Sequence, residues 1–118
     1  MGEFELLARL RERLPQDGPR VKLGSGDDAA IVVPGGATAT SVDAIVEGVH
    51  FRRADAGLET VGRKAISTAL SDLAAMGAEA GEAYVVLGAP ADLLEADFLA
   101  LLDGLLERAT ETGATLAG

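Results

Sequence analysis

The chain has 118 residues, enough to bury one hydrophobic core but small for a complete two-substrate enzyme. Hydrophobic residues make up 48% of it, which excludes a disordered chain, and the absence of cysteine excludes disulfides, thiolate metal sites and a cysteine nucleophile. The net charge is −9, with nine acids against the single base Arg108 over residues 65–118, so a nucleic-acid partner, which needs a basic face, is not expected.

Residues 3–14 read as an amphipathic helix, with Phe4, Leu7, Leu10 and Leu14 at three- and four-residue spacing. Its acids come first and its arginines later, as the helix dipole favours, and Pro15 to Pro19 stop it. Residues 21–23 suit a short strand leading into Gly24-Ser-Gly-Asp-Asp-Ala-Ala30. Residues 31–33 and 37–42 are β-compatible runs flanking Pro34-Gly35-Gly36, and they predict a hairpin closing near the two glycines. Residues 44–51 continue extended, with Gly48 marking a bend or bulge. A helix follows over 58–76, its inward face made by Val61, Ala65, Ile66, Ala69, Leu70 and Leu73 and its end capped by Gly77. Residues 82–89 predict a strand, 90–92 a turn, and 94–110 a second long helix with Leu94, Phe98, Leu101, Leu102 and Leu105 inward and Gly113 at its end. Residues 114–118 open a further strand, which points to a piece of a longer protein. The expected class is α+β, helices on one face of a mixed β-sheet, with the other face awaiting a second copy or a second domain. No apolar run approaches the ~20 residues of a membrane span. The acidic N-terminus also lacks a signal-peptide pattern, so no membrane partner and a cytoplasmic location are expected.

The acids in apolar or glycine-rich settings carry the candidate chemistry. In the hairpin register Asp28 lies opposite Asp43, with Cβ atoms roughly 5 Å apart. Like charges so placed destabilise unless a cation or a shared proton relieves them, and a divalent metal is the preferred answer. Asp72 falls near the C-terminal end of the 58–76 helix, where the dipole disfavours it, and Thr68, Ala69, Ala75 and Met76 offer it no basic neighbour. A bare surface aspartate there costs little, but the small apolar setting of residues 70–76 favours a functional role. Ser41 projects to the same side of its strand as Asp43. Ser41, Asp43, Asp28 and Asp72 thus form a candidate all-oxygen site of the kind that suits Mg²⁺. His50, the sole histidine, reads from its neighbours alone as a packed or surface residue. Gly24-x-Gly26-x-x-Ala29 fits the dinucleotide-binding spelling, but that motif must open a helix and here a strand and Pro34 follow. A Walker phosphate loop is excluded by the placement of Lys22 and Lys64, the only lysines.

Four motifs occur in order: Gly26-Asp-Asp-Ala-Ala30; Ser41-x-Asp43 with Val46-Glu-Gly-x-His-Phe51; Gly62-Arg-Lys-Ala65; and Leu70-Ser-Asp-Leu-Ala-Ala-Met-Gly-Ala78. Together they resemble the thiamine-monophosphate kinase family, within the aminoimidazole ribonucleotide synthetase superfamily. The resemblance implies that residues 1–118 are an N-terminal metal- and ATP-binding domain whose sheet pairs across a homodimer, with a C-terminal domain lying outside this sequence. It implies transfer of the γ-phosphoryl group of ATP to thiamine monophosphate, with Mg²⁺, to give thiamine diphosphate. By motif, Asp28, Ser41, Asp43 and Asp72 are the implied metal ligands and His50 part of the thiamine-phosphate pocket. Val42 replaces the family's usual threonine, so its implied contact is through the main-chain carbonyl. No side chain is implied as a nucleophile, and the isolated 118 residues are expected to lack turnover. Two alternatives remain at this level: another ATP-dependent member of the superfamily, disfavoured by the lack of cysteine, and a non-catalytic dimerisation module whose acids are surface charge.

Overall fold

In the computed structural model, residues 2–24 and 29–118 are described. Among them the order is α1 (Glu3–Arg13), β1 (Val21–Leu23), β2 (Ile31–Val32), α2 (Leu58–Ala75), β3 (Glu82–Ala83), α3 (Glu95–Thr112) and β4 (Thr115–Leu116). The class is α+β, as expected, with helices and small sheets.

Helix α2 packs against α3 to form the body of the fold. Val61, Gly62 and Ile66 are buried on one side of the contact, and Phe98, Leu102, Gly104, Leu105 and Ala109 on the other. Leu94 is the exception to the predicted inward face, because it is the exposed N-cap residue of α3 rather than part of its first turn. The helices meet backbone to backbone. A Cβ added at Gly62 would lie 2.8 Å from the Leu105 nitrogen, and one added at Gly104 would overlap the carbonyl of Glu59. Arg63 then closes the rim, bonding Glu107 at 2.9 Å and Glu111 at 3.0 Å. Both expected caps form: Gly77 follows α2 at φ +70° and Gly113 ends α3 at φ +81°, a region open to glycine because it has no Cβ.

Helix α1 departs from its predicted stripe. Leu14 joins Ile66, Leu102, Leu105 and Leu116 in the core and Leu10 packs on it, but Leu7 is exposed and Phe4 is 88% exposed. The helix is moored through its second half, by Arg9 to Glu95 at 3.0 Å and by Arg13 to Asp103, so its first turn extends beyond the core.

The strands form two separate two-stranded sheets among the described residues, not one mixed sheet. β1 and β2 are antiparallel, with Val21 opposite Val32 and Leu23 opposite Ile31. β3 and β4 are parallel, joined by α3 as the crossover that parallel strands require. Bonds from the Thr115 amide to the Gly81 carbonyl (2.8 Å) and from the Val85 amide to the Gly118 carbonyl (2.8 Å) extend this pair at both ends. The hairpin about Gly35 and Gly36 does not form: β2 turns back onto β1, and residues 37–46 carry no strand. Residues 84–89, expected to lengthen β3, are likewise outside any strand. Strand formation depends on neighbours that cover alternate side chains. Here Val42 is 92% exposed and Val86 fully so.

A pair of hydrogen bonds donated by Arg20 to Glu82 joins the two sheets, Nε to Oε2 at 2.9 Å and Nη2 to Oε1 at 2.5 Å. The guanidinium holds the Glu82 carboxyl below its ordinary value of 4.5, outweighing the opposing effect of burial. A carboxyl depressed in the folded state adds stability that is complete above its unfolded value and is lost as the pH falls through the folded one. Glu82→Gln keeps the shape and resembles the protonated acid. Because Arg20 is 37% exposed and solvent screens the pair, the substitution should cost about 1 kcal/mol at pH 7. In urea denaturation the gap between the two proteins should narrow as the pH is lowered from 7 past the ordinary carboxylate value, and a gap that stays equal at every pH would show that the ion pair is not the cause.

Candidate functional site

Thr60, Lys64, Thr68 and Asp72 recur every four residues along α2, so each neighbours the next along a row that winds round the helix by about 40° per step. The row ends on Asp72, in the last turn, where Oδ2 accepts a hydrogen bond from the Ser41 hydroxyl at 3.1 Å. Ser41 comes from the extended segment 31 residues earlier, so two of the sequence-predicted ligands do meet in space. Asp43 lies two residues further along that segment, exposed, with Oδ1 accepting the Ala44 amide at 2.8 Å. Val42, between them, turns its side chain to solvent. Asp28 lies outside the described residues, as does Asp27. The hairpin expected to set Asp28 against Asp43 does not form among the described residues, the pairing of those two acids lies outside them, and the contact the described residues do show is Ser41–Asp72.

Among the described residues, no three acidic, histidine or cysteine side chains gather closely enough to hold a metal ion. The donors that do converge still suit magnesium. A hydroxyl and a carboxylate in contact, with a second carboxylate on the adjoining segment, are hard oxygen ligands. Mg²⁺ keeps several waters and uses one or two carboxylates plus substrate phosphates rather than an all-protein cage.

A separate open hollow of about 410 Å³ lies nearer the start of α2, where Thr60 and Lys64 face His50, Phe51, Arg52 and Asp55. His50 rides on a tight turn. Glu47 pairs with Phe51, the Gly48 amide donates to the Phe51 carbonyl at 2.7 Å, and Gly48 takes φ +83°, which accounts for the bend predicted there. The Val46 amide donates to His50 Nδ1 at 2.9 Å, and Lys64 Nζ donates to the His50 carbonyl at 2.9 Å. Arg53 braces the turn from outside, reaching Glu47 at 2.9 Å and Asp92 at 3.3 Å. These partners hold the Arg53 guanidinium above its ordinary value, the Glu47 hydrogen bond most of all and then the charge of Asp92. Neither Lys64 nor Arg53 is among the sequence-predicted site residues. At 1.5 Å rise per residue, Lys64 and Asp72 stand roughly 12 Å apart along α2.

The family described as AIR synthase related protein, N-terminal domain, matches residues 26–118. The thiamine-monophosphate kinase of Mycobacterium tuberculosis (strain ATCC 25618 / H37Rv) is 43% identical over 119 residues, covering 100% of this chain and 35% of the relative. That of Escherichia coli (strain K12) is 39% identical over 108 residues, covering 90% of this chain and 33% of the relative. Among solved structures, the thiamine-monophosphate kinase from Stenotrophomonas maltophilia K279a matches with a TM-score of 0.69 at 31% identity, over 97% of this chain and 34% of that one. The chain thus spans about a third of the length of the relatives it matches.

Proposed function

The chain belongs to the family of AIR synthase related proteins, whose N-terminal domain it carries, and from that premise we propose that it is the N-terminal, metal- and ATP-binding part of a thiamine-monophosphate kinase. The proposed reaction moves the γ-phosphoryl group of ATP onto the phosphate of thiamine monophosphate, yielding thiamine diphosphate in the cytoplasm. The contact between Ser41 and Asp72 carries this proposal, because it joins two distant motifs into one oxygen-donor site. The names of the relatives supply the substrate.

Asp28, Ser41, Asp43, Asp72 and the Val42 carbonyl would hold magnesium, and His50, at the far end of the α2 row, would take the substrate. Magnesium held by these residues would supply the positive charge that offsets the negative charge developing on the phosphates during transfer. An acidic chain needs such an inversion of local sign before it can receive a polyanion. The protein's own part is positional: α2 spaces the phosphate end from the His50 end, and the extended segment brings Ser41 to Asp72. The exposed apolar residues Val42, Val46, Tyr84 and Val86 favour sheet pairing across a homodimer, which would give residues 37–46 and 84–89 the covering surface they lack in the single chain.

With thiamine monophosphate, ATP and Mg²⁺, the full-length protein should form thiamine diphosphate, a metal chelator should abolish the product, and the 118 residues alone should form none. Full-length protein that makes no thiamine diphosphate, or makes it equally well in the chelator, would overturn the proposal. Mg²⁺ with ATP should also raise the melting temperature, and Asp43→Asn or Asp28→Asn should remove that rise. A non-catalytic dimerisation module would melt identically with and without the nucleotide.

A further inference from the structure

We propose that Lys64 is a positioning residue for substrate recognition, which acts by holding the main chain of His50. The inference rests on the kinase reading above and adds a residue to it. His50 is fixed at two points. Its Nδ1 accepts the Val46 amide at 2.9 Å, and its carbonyl accepts Lys64 Nζ at 2.9 Å. The first bond consumes the lone pair of Nδ1, so the neutral ring carries its proton on Nε2 and offers a ligand a hydrogen-bond donor. The second bond comes from α2, the most regular element near the hollow, and ties the turn to the helix that also carries Asp72.

The turn needs such a tie. It is exposed, it is built around a glycine at φ +83°, and its internal bonds join only residues 46–51 to one another. Arg53 anchors its start through Glu47, and Lys64 reaches its tip. Lys64 is exposed, so removing its ammonium leaves the α2–α3 core untouched. The consequence falls on the direction of the His50 ring. A donor displaced by even an ångström loses its hydrogen bond to the ligand, and we place that loss in substrate affinity because Lys64 stands roughly 12 Å along α2 from Asp72.

The test uses the full-length protein. Lys64→Met should raise the KM for thiamine monophosphate about tenfold, with kcat and the KM for ATP changed less than about twofold, and Lys64→Arg should recover most of the loss. In a His50→Gln background, Lys64→Met should add less than about twofold, because its effect passes through the residue already removed. If the wild type turns over thiamine monophosphate while Lys64→Met leaves its KM unchanged, or multiplies the His50→Gln defect in full, Lys64 is not acting through His50. If the wild type shows no turnover, the kinase proposal fails and the clamp is judged on its own. The ¹⁵N spectrum of His50, identified by its loss in His50→Gln, should show a single Nε2–H tautomer in the wild type and a mixture in Lys64→Met. An identical spectrum in both would overturn the clamp whatever the activity.

Discussion

Asp72→Asn is expected to lower thiamine diphosphate synthesis by the full-length protein about 10²–10³-fold, while the protein becomes no less stable. The size follows from the proposed role of Asp72 as a charged metal ligand: an electrostatic contribution of that kind is worth about 3–4 kcal/mol of transition-state stabilisation. The direction of the stability change follows from the helix. Asp72 lies in the last turn of α2, where the dipole opposes a carboxylate, it is exposed, and no basic side chain stands three or four residues away. Among the described residues its partner is the Ser41 hydroxyl, from which an amide oxygen accepts equally well. Thermal melting beside a coupled assay for thiamine diphosphate tests both halves. A variant that loses activity and melts earlier in proportion would mark Asp72 as a structural residue. A variant with full activity would remove it from the site.

What the sequence makes legible here is what it specifies locally. The periods of α2 and α3, the glycines ending them and the bend at Gly48 all depend on residues within a few positions of each other, and all appear where expected. Strand pairing depends on choices made across the chain. Residues 31–33 are equally suited to a partner before or after them, and the structure pairs β2 with β1, leaving residues 37–46 without one. No single-chain pattern tells an edge that awaits a neighbour from a strand already covered. The site divides in the same way. Ser41 and Asp72 can be singled out by residue type and setting, yet Lys64 looks like an ordinary surface lysine until its reach to the His50 carbonyl is seen. The stripe on α1 shows the converse, since its spacing is right but Phe4 and Leu7 have no core within reach.

Gly104 poses the clearest conflict between local and tertiary rules. By helix propensity alone, Gly104→Ala in the middle of α3 should stabilise the protein by about 1 kcal/mol. The structure predicts the opposite sign, a loss of about 3 kcal/mol, because the new methyl would occupy the space of the Glu59 carbonyl and crowd the Arg63 amide at 3.1 Å. Neither neighbour is a flexible side chain: both are main-chain atoms of α2, so relief requires the two helices to separate and every buried contact between them to loosen. Gly62→Ala meets the same obstacle from the other side, against Leu101 and Leu105. Each substitution demands the same separation, so the double variant should cost clearly less than the sum of the singles. The damage should also reach the site, since α2 carries both Lys64 and Asp72. Urea denaturation of the two single variants and the double variant tests this. A more stable Gly104→Ala protein, or strictly additive losses, would mean that the helices do not cross at these glycines.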